Sequence, residues 1–386
     1  MRYTPPRLRA LPAAYMFLIL VIDLAMRPTP PFLITPAMAI CWLLGLLVGG
    51  IAFLAAMGVC WLLIKGGGSD SADKHGVSTA DSTRVGGALI ASYVVASVVY
   101  YNLWGGSPLG DLATTALVTA FGFYCLGLLE DLRGDLKATL RFALMLGLGC
   151  MSLWMAPDYV LEPVGLGIVD GILNLNTTSQ LLFTAVCIGF LPNAFNTSDG
   201  ANGLLSGTAL LGFLAVLTWF DSELSYLLLY AALGTLLFFL FNITTGRFFL
   251  GDGGAYFLGA LMGFAIIHIA NTNAVSVWCL LSLIFYPVAD LLWSMGRRLV
   301  AGKSPMNPDN LHLHNLIHDV ALVGWISDGA RNTATGLVLV ALFSGLPWLL
   351  FWQLESVTHE LWFGLISVQW ALYAATWFLL RLSQRS

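Results

Sequence analysis

Two short polar stretches interrupt apolar sequence, and their side chains are types that hold metal ions and phosphates. NAFNTSDGANGLLSG places Asn196, Asp199 and Asn202 between two apolar runs, and FLGDGGAYFLG places Asp252 among glycines. Mg²⁺ prefers hard oxygen ligands, usually one or two carboxylates completed by substrate phosphate oxygens. Glycines beside such acids let a ligand approach the backbone closely. The two stretches therefore predict a site for a divalent cation and a phosphate.

Two further stretches add an acidic pair and basic side chains. LLEDLRGDLKATLR contains Glu130 and Asp131, followed by Lys137 and Arg141, which lie on one face at i and i+4 if the segment is helical. STRVGG contains Arg84 before two glycines. Lys and Arg neutralise phosphate oxygens, although basic residues also anchor membrane proteins on their cytoplasmic side. Phosphate binding and topology anchoring both stay open for these three basic residues.

A loop with the sequence RRLVAGKSPMNPDNLHLHNLI carries His312 and His314. The two histidines are only two residues apart and no cysteine is nearby, so their spacing disfavours zinc. Asp290 precedes this loop inside an apolar run, and acidic residues within membrane spans are usually functional. Arg297 and Arg298 follow Asp290 by two helical turns. Structural pairing with these arginines is therefore the alternative role of Asp290.

The chain that must position these residues is strongly apolar. It has 386 residues, of which 58% are hydrophobic and 10% charged, whereas soluble domains carry about 25% charged residues. A membrane-spanning helix needs roughly 20 apolar residues, and this criterion predicts an all-α polytopic membrane protein of about eleven spans. The candidate spans are 38–64, 85–104, 112–129, 138–156, 180–195, 203–220, 224–243, 254–270, 274–295, 333–353 and 361–380.

The sequence predicts a single transmembrane domain over residues 38–386, preceded by an N-terminal extension at 1–37. Within the extension, 11–26 is apolar but short and contains Asp23. It would be a twelfth span, an interfacial segment or an uncleaved signal-like stretch. The Pro-rich connector 28–36 separates it from the domain.

Basic residues predict the orientation of the chain. If 38–64 runs inward and the spans alternate, the outer loops after residue 65 contain no Lys or Arg but several acids. Cytoplasmic loops are enriched in Lys and Arg, so all of the polar stretches above are predicted to lie on the cytoplasmic face. A multi-pass protein of the inner membrane is expected.

Five motifs in order resemble those of the polyprenyl-phosphate N-acetylhexosamine-1-phosphate transferases, membrane enzymes that start O-antigen and other cell-envelope polysaccharides. TRVGG resembles the family's P-R-x-G-G, GLLEDL its G-x-x-D-D, and NAFNTSDGANGL its N-A-x-N-x-x-D-G-x-D-G-L. GDGGAYFLG resembles G-D-x-G-S-x-x-L-G, and GKSPMNPDNLHLHNLI resembles the G-x-S-P-x-x-P-D-x-x-H-x-H-H-x-L loop. The resemblance covers roughly residues 38–385.

The resemblance implies transfer of an N-acetylhexosamine-1-phosphate from a UDP-sugar to undecaprenyl phosphate, with release of UMP. It also implies dependence on Mg²⁺, for which Mn²⁺ can substitute. The implied roles are catalytic for Glu130, Asp131 and Asp199, metal-binding for Asp252 and Asn196, and substrate-binding for Arg84, Lys137, Arg141, Asn202, His312 and His314. Helix capping is the alternative role for Asp199 and Asp252.

The chain departs from the family pattern at several motif positions. Glu130 replaces the first Asp of the acidic pair, Asn202 replaces the Asp that approaches uracil, and Thr83 and Asn315 replace a Pro and a His. Asn both donates and accepts hydrogen bonds, so a contact to the base can persist at Asn202. The absence of a run of three His before an acid argues against a peptidoglycan precursor as substrate.

Two other protein classes are alternatives to an enzyme. A transporter or flippase of lipid-linked or anionic substrates should have ionisable groups at mid-membrane and broken helices, whereas a scaffold would not need matched acids and glycines. The clustering of polar residues at one surface favours the enzyme. The expected partners are undecaprenyl phosphate, a UDP-N-acetylhexosamine and the lipid bilayer, with no nucleic acid. A homodimer is compatible with the sequence, which does not determine the oligomeric state.

Overall fold

The structure is a computed structural model. It describes residues 36–65, 86–104, 109–134, 136–219, 224–246, 248–272, 275–305, 310–353 and 359–384. The predicted N-terminal extension and the Pro-rich connector lie almost entirely outside the described residues.

The described part of the chain is built from helices. They are α1 (Pro36–Lys65), α2 (Gly87–Trp104), α3 (Asp111–Arg133), α4 (Ala138–Met155), α5 (Gly167–Leu173), α6 (Thr177–Thr197), α7 (Leu204–Trp219), α8 (Ser225–Thr245), α9 (Gly251–Thr272), α10 (Val277–Leu283), α11 (Phe285–Val300), α12 (Leu313–Leu316), α13 (Asp328–Val340), α14 (Leu346–Gln353) and α15 (His359–Ser383). A 3₁₀ turn covers Pro157–Tyr159, and π-helical turns cover Ile317–Ala321 and Ala341–Gly345.

The prediction of an all-α polytopic membrane protein is confirmed. Among the described residues, nine helices are long and apolar enough to cross a membrane, and a bent pair of helices brings the number to ten if the pair crosses as one span. A shorter apolar helix, Leu204–Leu217, corresponds to the remaining predicted span. These segments match the predicted spans one for one. Internal hydrogen bonding explains the architecture, because backbone groups in hydrocarbon must be satisfied within helices.

Helix α9 lies at the centre of the bundle and is the most deeply buried span. It packs mainly on α3 and α6, with α2 and α7 also in contact. Small residues make this packing possible: a Cβ at Gly259 would lie 2.7 Å from Pro192 Cα in α6. Close backbone approach at small residues is the usual way in which helices associate in lipid.

The predicted span 274–295 is broken, which the sequence analysis did not anticipate. Helices α10 and α11 meet at Ile284 with a bend of 83°. Pro287 lies in the first turn of α11, and because proline has no N–H, it cannot continue the hydrogen-bond ladder back to Leu283. Gln369 of α15 stabilises this region by donating from Nε2 to the carbonyls of Ser282 and Phe343, at 3.2 and 3.0 Å.

Helix ends bring the predicted polar stretches together at one end of the bundle. The end of α3, the connection from α6 to α7 and the start of α9 are joined there by the side chains of Asp131 and Asp199. The opposite end is tied by Asn271, whose Nδ2 donates to the carbonyls of Asp158 and Val160. One end of the bundle therefore carries the candidate site.

Candidate active site

The first turn of α9 forms the floor of the candidate site. Gly251 begins the helix with φ of +68°, a conformation that a residue with a side chain rarely adopts. Two other motif glycines pack against this turn. A Cβ at Gly87 would lie 2.3 Å from Gly254 Cα, and one at Gly127 would lie 2.4 Å from the Asp252 carbonyl carbon. The glycines of three separate motifs thus allow α2 and α3 to approach the start of α9.

Two acidic side chains bind the exposed N–H groups of this turn. The backbone N–H of Asp252 donates to Asp131 Oδ1 at 3.0 Å, and that of Gly253 donates to Asp131 Oδ2 at 2.9 Å. The N–H of Gly251 donates to Asp199 Oδ2 at 3.1 Å. The first N–H groups of a helix have no partner within the helix. Asp131 and Asp199 supply these partners and so fix the position of the Asp252 backbone.

The carboxylates of Asp252 and Glu130 both lie near the guanidinium group of Arg141. Arg141 Nη1 lies 3.5 Å from Asp252 Oδ2 and 3.5 Å from Glu130 Oε1. Tyr256, one turn further along α9, donates its hydroxyl to Asp252 Oδ2 at 3.3 Å. All of these side chains except that of Tyr256 are partly exposed. We call Glu130, Asp131, Arg141, Asp199 and Asp252 the acidic cluster.

The acidic cluster contains more negative than positive groups. In the described contacts, Glu130 and Asp252 lie beside the guanidinium of Arg141, while Asp131 and Asp199 bind backbone N–H groups of α9. Burial raises the pKa of Asp199 well above its usual value, and the nearby charges of Asp131 and Asp252 raise it further, against the opposing hydrogen bond from Gly251. A carboxyl group that titrates closer to neutrality is suited to proton transfer.

The donor set of this cluster fits a magnesium ion that shares its coordination with a substrate. Within the described ranges, no group of three or more His, Cys, Asp and Glu side chains has the arrangement of a complete metal site. Glu130 and Asp252 nevertheless direct hard carboxylate oxygens at one point, and Glu130 Oε2 is buried without a hydrogen-bond partner. Because Mg²⁺ commonly takes only one or two protein carboxylates, this set is sufficient when phosphate oxygens complete it.

The other residues predicted to act near the acidic cluster are Asn196, Lys137 and Arg84. Asn196 is partly buried, one turn before Asp199 on α6. Lys137 is exposed and is the N-cap residue of α4, with ψ of 129°, so it does not share a helical face with Arg141. Arg84 lies outside the described residues, although Gly86, two positions further along the chain, donates its N–H to the Phe249 carbonyl at 3.0 Å. The predicted roles of these three residues stay predictions.

The two predicted histidines belong to a second group of polar side chains. His312 Nδ1 lies 2.6 Å from Asp290 Oδ2, and His314 Nδ1 lies 3.0 Å from the hydroxyl of Tyr286. The two rings are parallel, with centroids 5.4 Å apart. Tyr373 of α15 donates its hydroxyl to Asp290 Oδ1 at 2.6 Å. We call Tyr286, Asp290, His312, His314 and Tyr373 the histidine cluster.

The histidine cluster lies directly beside the loop of the acidic cluster. A Cβ at Gly200 would lie 2.1 Å from His314 Nε2, so the glycine after Asp199 is required by the closeness of this ring. Burial lowers the pKa of His314 to about 4, although the charge of Asp290 opposes the shift. His314 is therefore a neutral imidazole at physiological pH. His312 is somewhat more accessible, with 11% of its side chain exposed.

Asn202 is nearly enclosed by α13. Its backbone N–H donates to Asn332 Oδ1 at 2.7 Å, and its Nδ2 lies 3.3 Å from Thr333 Oγ1. Its Oδ1 atom is buried without a hydrogen-bond partner. An unpaired buried acceptor is costly, and a ligand donor would relieve that cost. The predicted contact with the uracil base stays a prediction.

Several residues that support the two clusters were not identified from the sequence. Asn242 accepts from the Gly203 N–H at 2.6 Å and donates to the Phe248 carbonyl at 2.7 Å, which ties α8 to both loops. Tyr256 could have been found from its i, i+4 spacing to Asp252. Asn332 and Tyr373 carry no comparable signal, because their partners are distant in sequence.

The chain is similar to known proteins over the helices that carry the acidic cluster. Residues 113–270 match the family described as glycosyl transferase family 4. A decaprenyl-phosphate N-acetylglucosaminephosphotransferase from Mycolicibacterium smegmatis is 28% identical over 335 residues, covering 75% of this chain and 81% of that protein. The corresponding protein of Mycobacterium tuberculosis strain H37Rv is 27% identical over 305 residues, covering 71% of this chain and 74% of that protein.

An undecaprenyl-phosphate alpha-N-acetylglucosaminyl 1-phosphate transferase from Escherichia coli strain K12 is 35% identical over a shorter segment of 139 residues. That segment covers 32% of this chain and 37% of that protein. The fold and the site together define a polytopic membrane protein with an acidic site at one end of its bundle. The comparisons agree with the resemblance drawn from the five motifs, and the match to glycosyl transferase family 4 extends over residues 113–270.

Proposed function

We propose that this protein transfers an N-acetylhexosamine-1-phosphate from a UDP-sugar to undecaprenyl phosphate, releasing UMP and starting a cell-envelope polysaccharide such as O-antigen. The observation that carries the proposal is the convergence of Glu130, Asp252 and Arg141 on one point at the start of α9. Transfer between two anionic phosphates needs both a cation and a preorganised positive side chain. The mycobacterial and E. coli relatives are named as polyprenyl-phosphate sugar-phosphate transferases, which agrees with this chemistry.

Each member of the acidic cluster has a distinct part in this reaction. Asp131 fixes the first turn of α9 and thereby positions the carboxylate of Asp252. Arg141 is the group that binds a phosphate, since its guanidinium is partly exposed between two acids. Lys137, Arg84, Asn202, His312 and His314 complete the proposed contacts to the two substrates.

Asp199 is the proposed proton acceptor. A phosphate monoester such as the lipid acceptor loses its second proton near pH 6, and its dianion is the better nucleophile. Because burial raises the pKa of Asp199, this carboxyl group can take up that proton, and the hydrogen bond from the Gly251 N–H holds it in place.

Mg²⁺, or Mn²⁺ in its place, is the proposed cofactor. Asp252 and Glu130 would hold it, with Asn196 as a further ligand proposed from the family motif. When bound, the ion would supply charge stabilisation to the phosphate oxygens. The negative excess of the acidic cluster and the unpartnered Oε2 of Glu130 support this assignment.

The proposed orientation places both clusters at the cytoplasmic surface, where nucleotide sugars are made. Its support is the one-sided distribution of Lys and Arg in the sequence. A reporter fused after Gly171 should then be periplasmic, and one fused after Lys303 should be cytoplasmic. Fusions that report the same compartment would contradict the orientation.

The direct test of function is an assay of purified protein with undecaprenyl phosphate, Mg²⁺ and a panel of UDP-sugars. UMP release that requires both the lipid phosphate and one UDP-N-acetylhexosamine is the expected result, and it would also identify the sugar. Release of UMP without the lipid would indicate hydrolysis instead. No release with any donor would exclude the proposed reaction.

One feature fits the transporter alternative, namely a broken span that contains a buried acid. Asp290 lies in α11 just after the 83° bend. Its carboxylate, however, is bound by Tyr373, His312 and the Leu313 N–H, whereas a transport site would leave such a group available to substrate. Transport of a labelled lipid-linked sugar across proteoliposomes, without UMP release, is the result that would favour this alternative.

A further inference from the structure

Asp290 is a fully buried carboxylate whose two oxygens are both occupied. Its exposed fraction is 0%. Oδ1 accepts from the Tyr373 hydroxyl at 2.6 Å and from the Leu313 N–H at 3.2 Å, while Oδ2 lies 2.6 Å from His312 Nδ1. A buried carboxylate is tolerated only when such partners replace water. The arginines that follow it on α11 are directed elsewhere: Arg297 donates to the Leu311 carbonyl and Arg298 to Ser294 Oγ.

The contact with His312 determines how that ring is presented. An imidazole whose Nδ1–H is bound to a carboxylate has a fixed orientation and a fixed proton position. Since Nδ1 faces Asp290, the opposite nitrogen, Nε2, is directed away from it. The His312 ring stacks on His314, whose own Nε2 abuts Gly200 beside Asp199. The rings of His312 and His314 therefore lie between Asp290 and the loop of the acidic cluster.

We propose that Asp290 is a positioning residue for His312, which it holds in the orientation and tautomer that contact the diphosphate of the sugar donor. Tyr373 and the Leu313 N–H hold the carboxylate in place from its other oxygen. This inference rests on the proposed function for the identity of the donor. Neither Asp290 nor His312 lies within the matched segment 113–270, so the role is assigned from the geometry of this chain.

The test compares donor binding in single and double variants. Asp290→Asn keeps the shape of the side chain but loses its charge, and we expect the KM for the UDP-sugar to rise about 10-fold, as when the carboxylate partner of a functional histidine is removed. His312→Gln should raise the same KM to a similar extent. If Asp290 acts through His312, the double variant should be no worse than the poorer single variant. If the increases in donor KM of the two single variants multiply in the double variant, the proposal is wrong.

Two further variants separate positioning from loss of packing. Tyr373→Phe removes one hydrogen bond to Asp290 without touching His312, and a rise in donor KM of roughly 5-fold is expected from a bond of that strength. Gln369→Leu is the matched control, since Gln369 is likewise buried on α15 but donates its hydrogen bonds to the carbonyls of Ser282 and Phe343 instead of to Asp290. It should lower thermal stability and leave the donor KM unchanged. An equal rise in KM in Gln369→Leu would show that general loosening explains the result.

A spectroscopic measurement tests the positioning independently of activity. In protein labelled with ¹⁵N-histidine, the signals of His312, assigned by their loss in His312→Gln, should show a protonated Nδ1 in the wild type. Asp290→Asn should shift them towards a mixture of tautomers, and unchanged shifts would refute the positioning role. If the wild type releases no UMP, the proposed function fails, while this spectrum still decides whether Asp290 sets the state of His312.

Discussion

The acidic cluster and the histidine cluster both place ionisable groups at one end of a lipid-embedded bundle, but their side chains are paired to different degrees. In the acidic cluster, Glu130 and Asp252 share the guanidinium of Arg141, and the buried Oε2 atom of Glu130 has no hydrogen-bond partner among the described residues. In the histidine cluster, both oxygens of the single carboxylate are bound, and the rings lie against tyrosines. In the acidic cluster, one carboxylate oxygen lacks a hydrogen-bond partner among the described residues. In the histidine cluster, both oxygens of the carboxylate have partners.

The difference in pairing distinguishes side chains that we propose bind a ligand from side chains that hold other residues in place. An excess of negative charge is unfavourable unless a cation compensates it, which is why we propose that the acidic cluster binds a metal ion. A buried and fully bonded carboxylate makes its surroundings rigid instead. The same residue type, aspartate, therefore has opposite roles at Asp252 and Asp290 because its partners differ.

The largest expected effect follows from removing the charge of Asp252. Asp252→Asn should lower kcat by roughly 10²-fold or more, because a bound metal supplies several kcal/mol of charge stabilisation. UMP release measured in chelator-treated protein during Mg²⁺ titration tests this expectation. Asp111→Asn, at the opposite end of α3, is the matched control and should behave like the wild type. Near-normal turnover in Asp252→Asn would remove it as a metal ligand.

A smaller effect is expected from substitution of Asp131, whose carboxylate binds two N–H groups in the first turn of α9. Asp131→Asn turns one hydrogen-bond acceptor into a donor opposite a backbone N–H, so it should lower stability by about 1 kcal/mol, as loss of a helix cap does. Displacement of Asp252 should also lower kcat about 10-fold or more. Melting curves and turnover are measured together.

Glu130→Gln provides the contrast to that variant. Since Glu130 makes no bond to the α9 backbone, its substitution should lower turnover without lowering the melting temperature. If Asp131→Asn leaves stability unchanged, Asp131 acts on the substrates directly and the capping role is wrong.

The smallest effect concerns the pH dependence of the histidine cluster. The pKa of His314 is about 4, below its ordinary value of 6.5, so the folded protein binds fewer protons than the unfolded chain between these values. Stability should therefore be complete above pH 6.5 and fall as pH is lowered towards 4. The melting temperature in detergent should drop by a few degrees over this interval. In His314→Gln this part of the decrease should disappear, and an unchanged decrease would assign it to other groups.

The hydrophobicity and length of the apolar runs were sufficient to predict the membrane-spanning helices of this protein. Apolar runs of about 20 residues have few alternatives in lipid, which is why the predicted spans correspond to the observed ones. The bend between α10 and α11 was missed because Pro287 lies near the middle of an uninterrupted apolar run. The extent of α4 was predicted correctly from Ala138 onward, but Lys137 is the N-cap residue of that helix and therefore does not share a helical face with Arg141.

The sequence by itself determined which residue types form the candidate site and in which motifs they occur, because glycines, paired acids and histidines stand out against apolar sequence. The tertiary structure alone decided what each of them contacts. Asp131 and Asp252 are 121 positions apart, and Asp290 and Tyr373 are 83 apart. No local pattern encodes such pairs, because they depend on how the helices pack. Packing made Asp131 a cap, left Glu130 incompletely paired and enclosed Asp290.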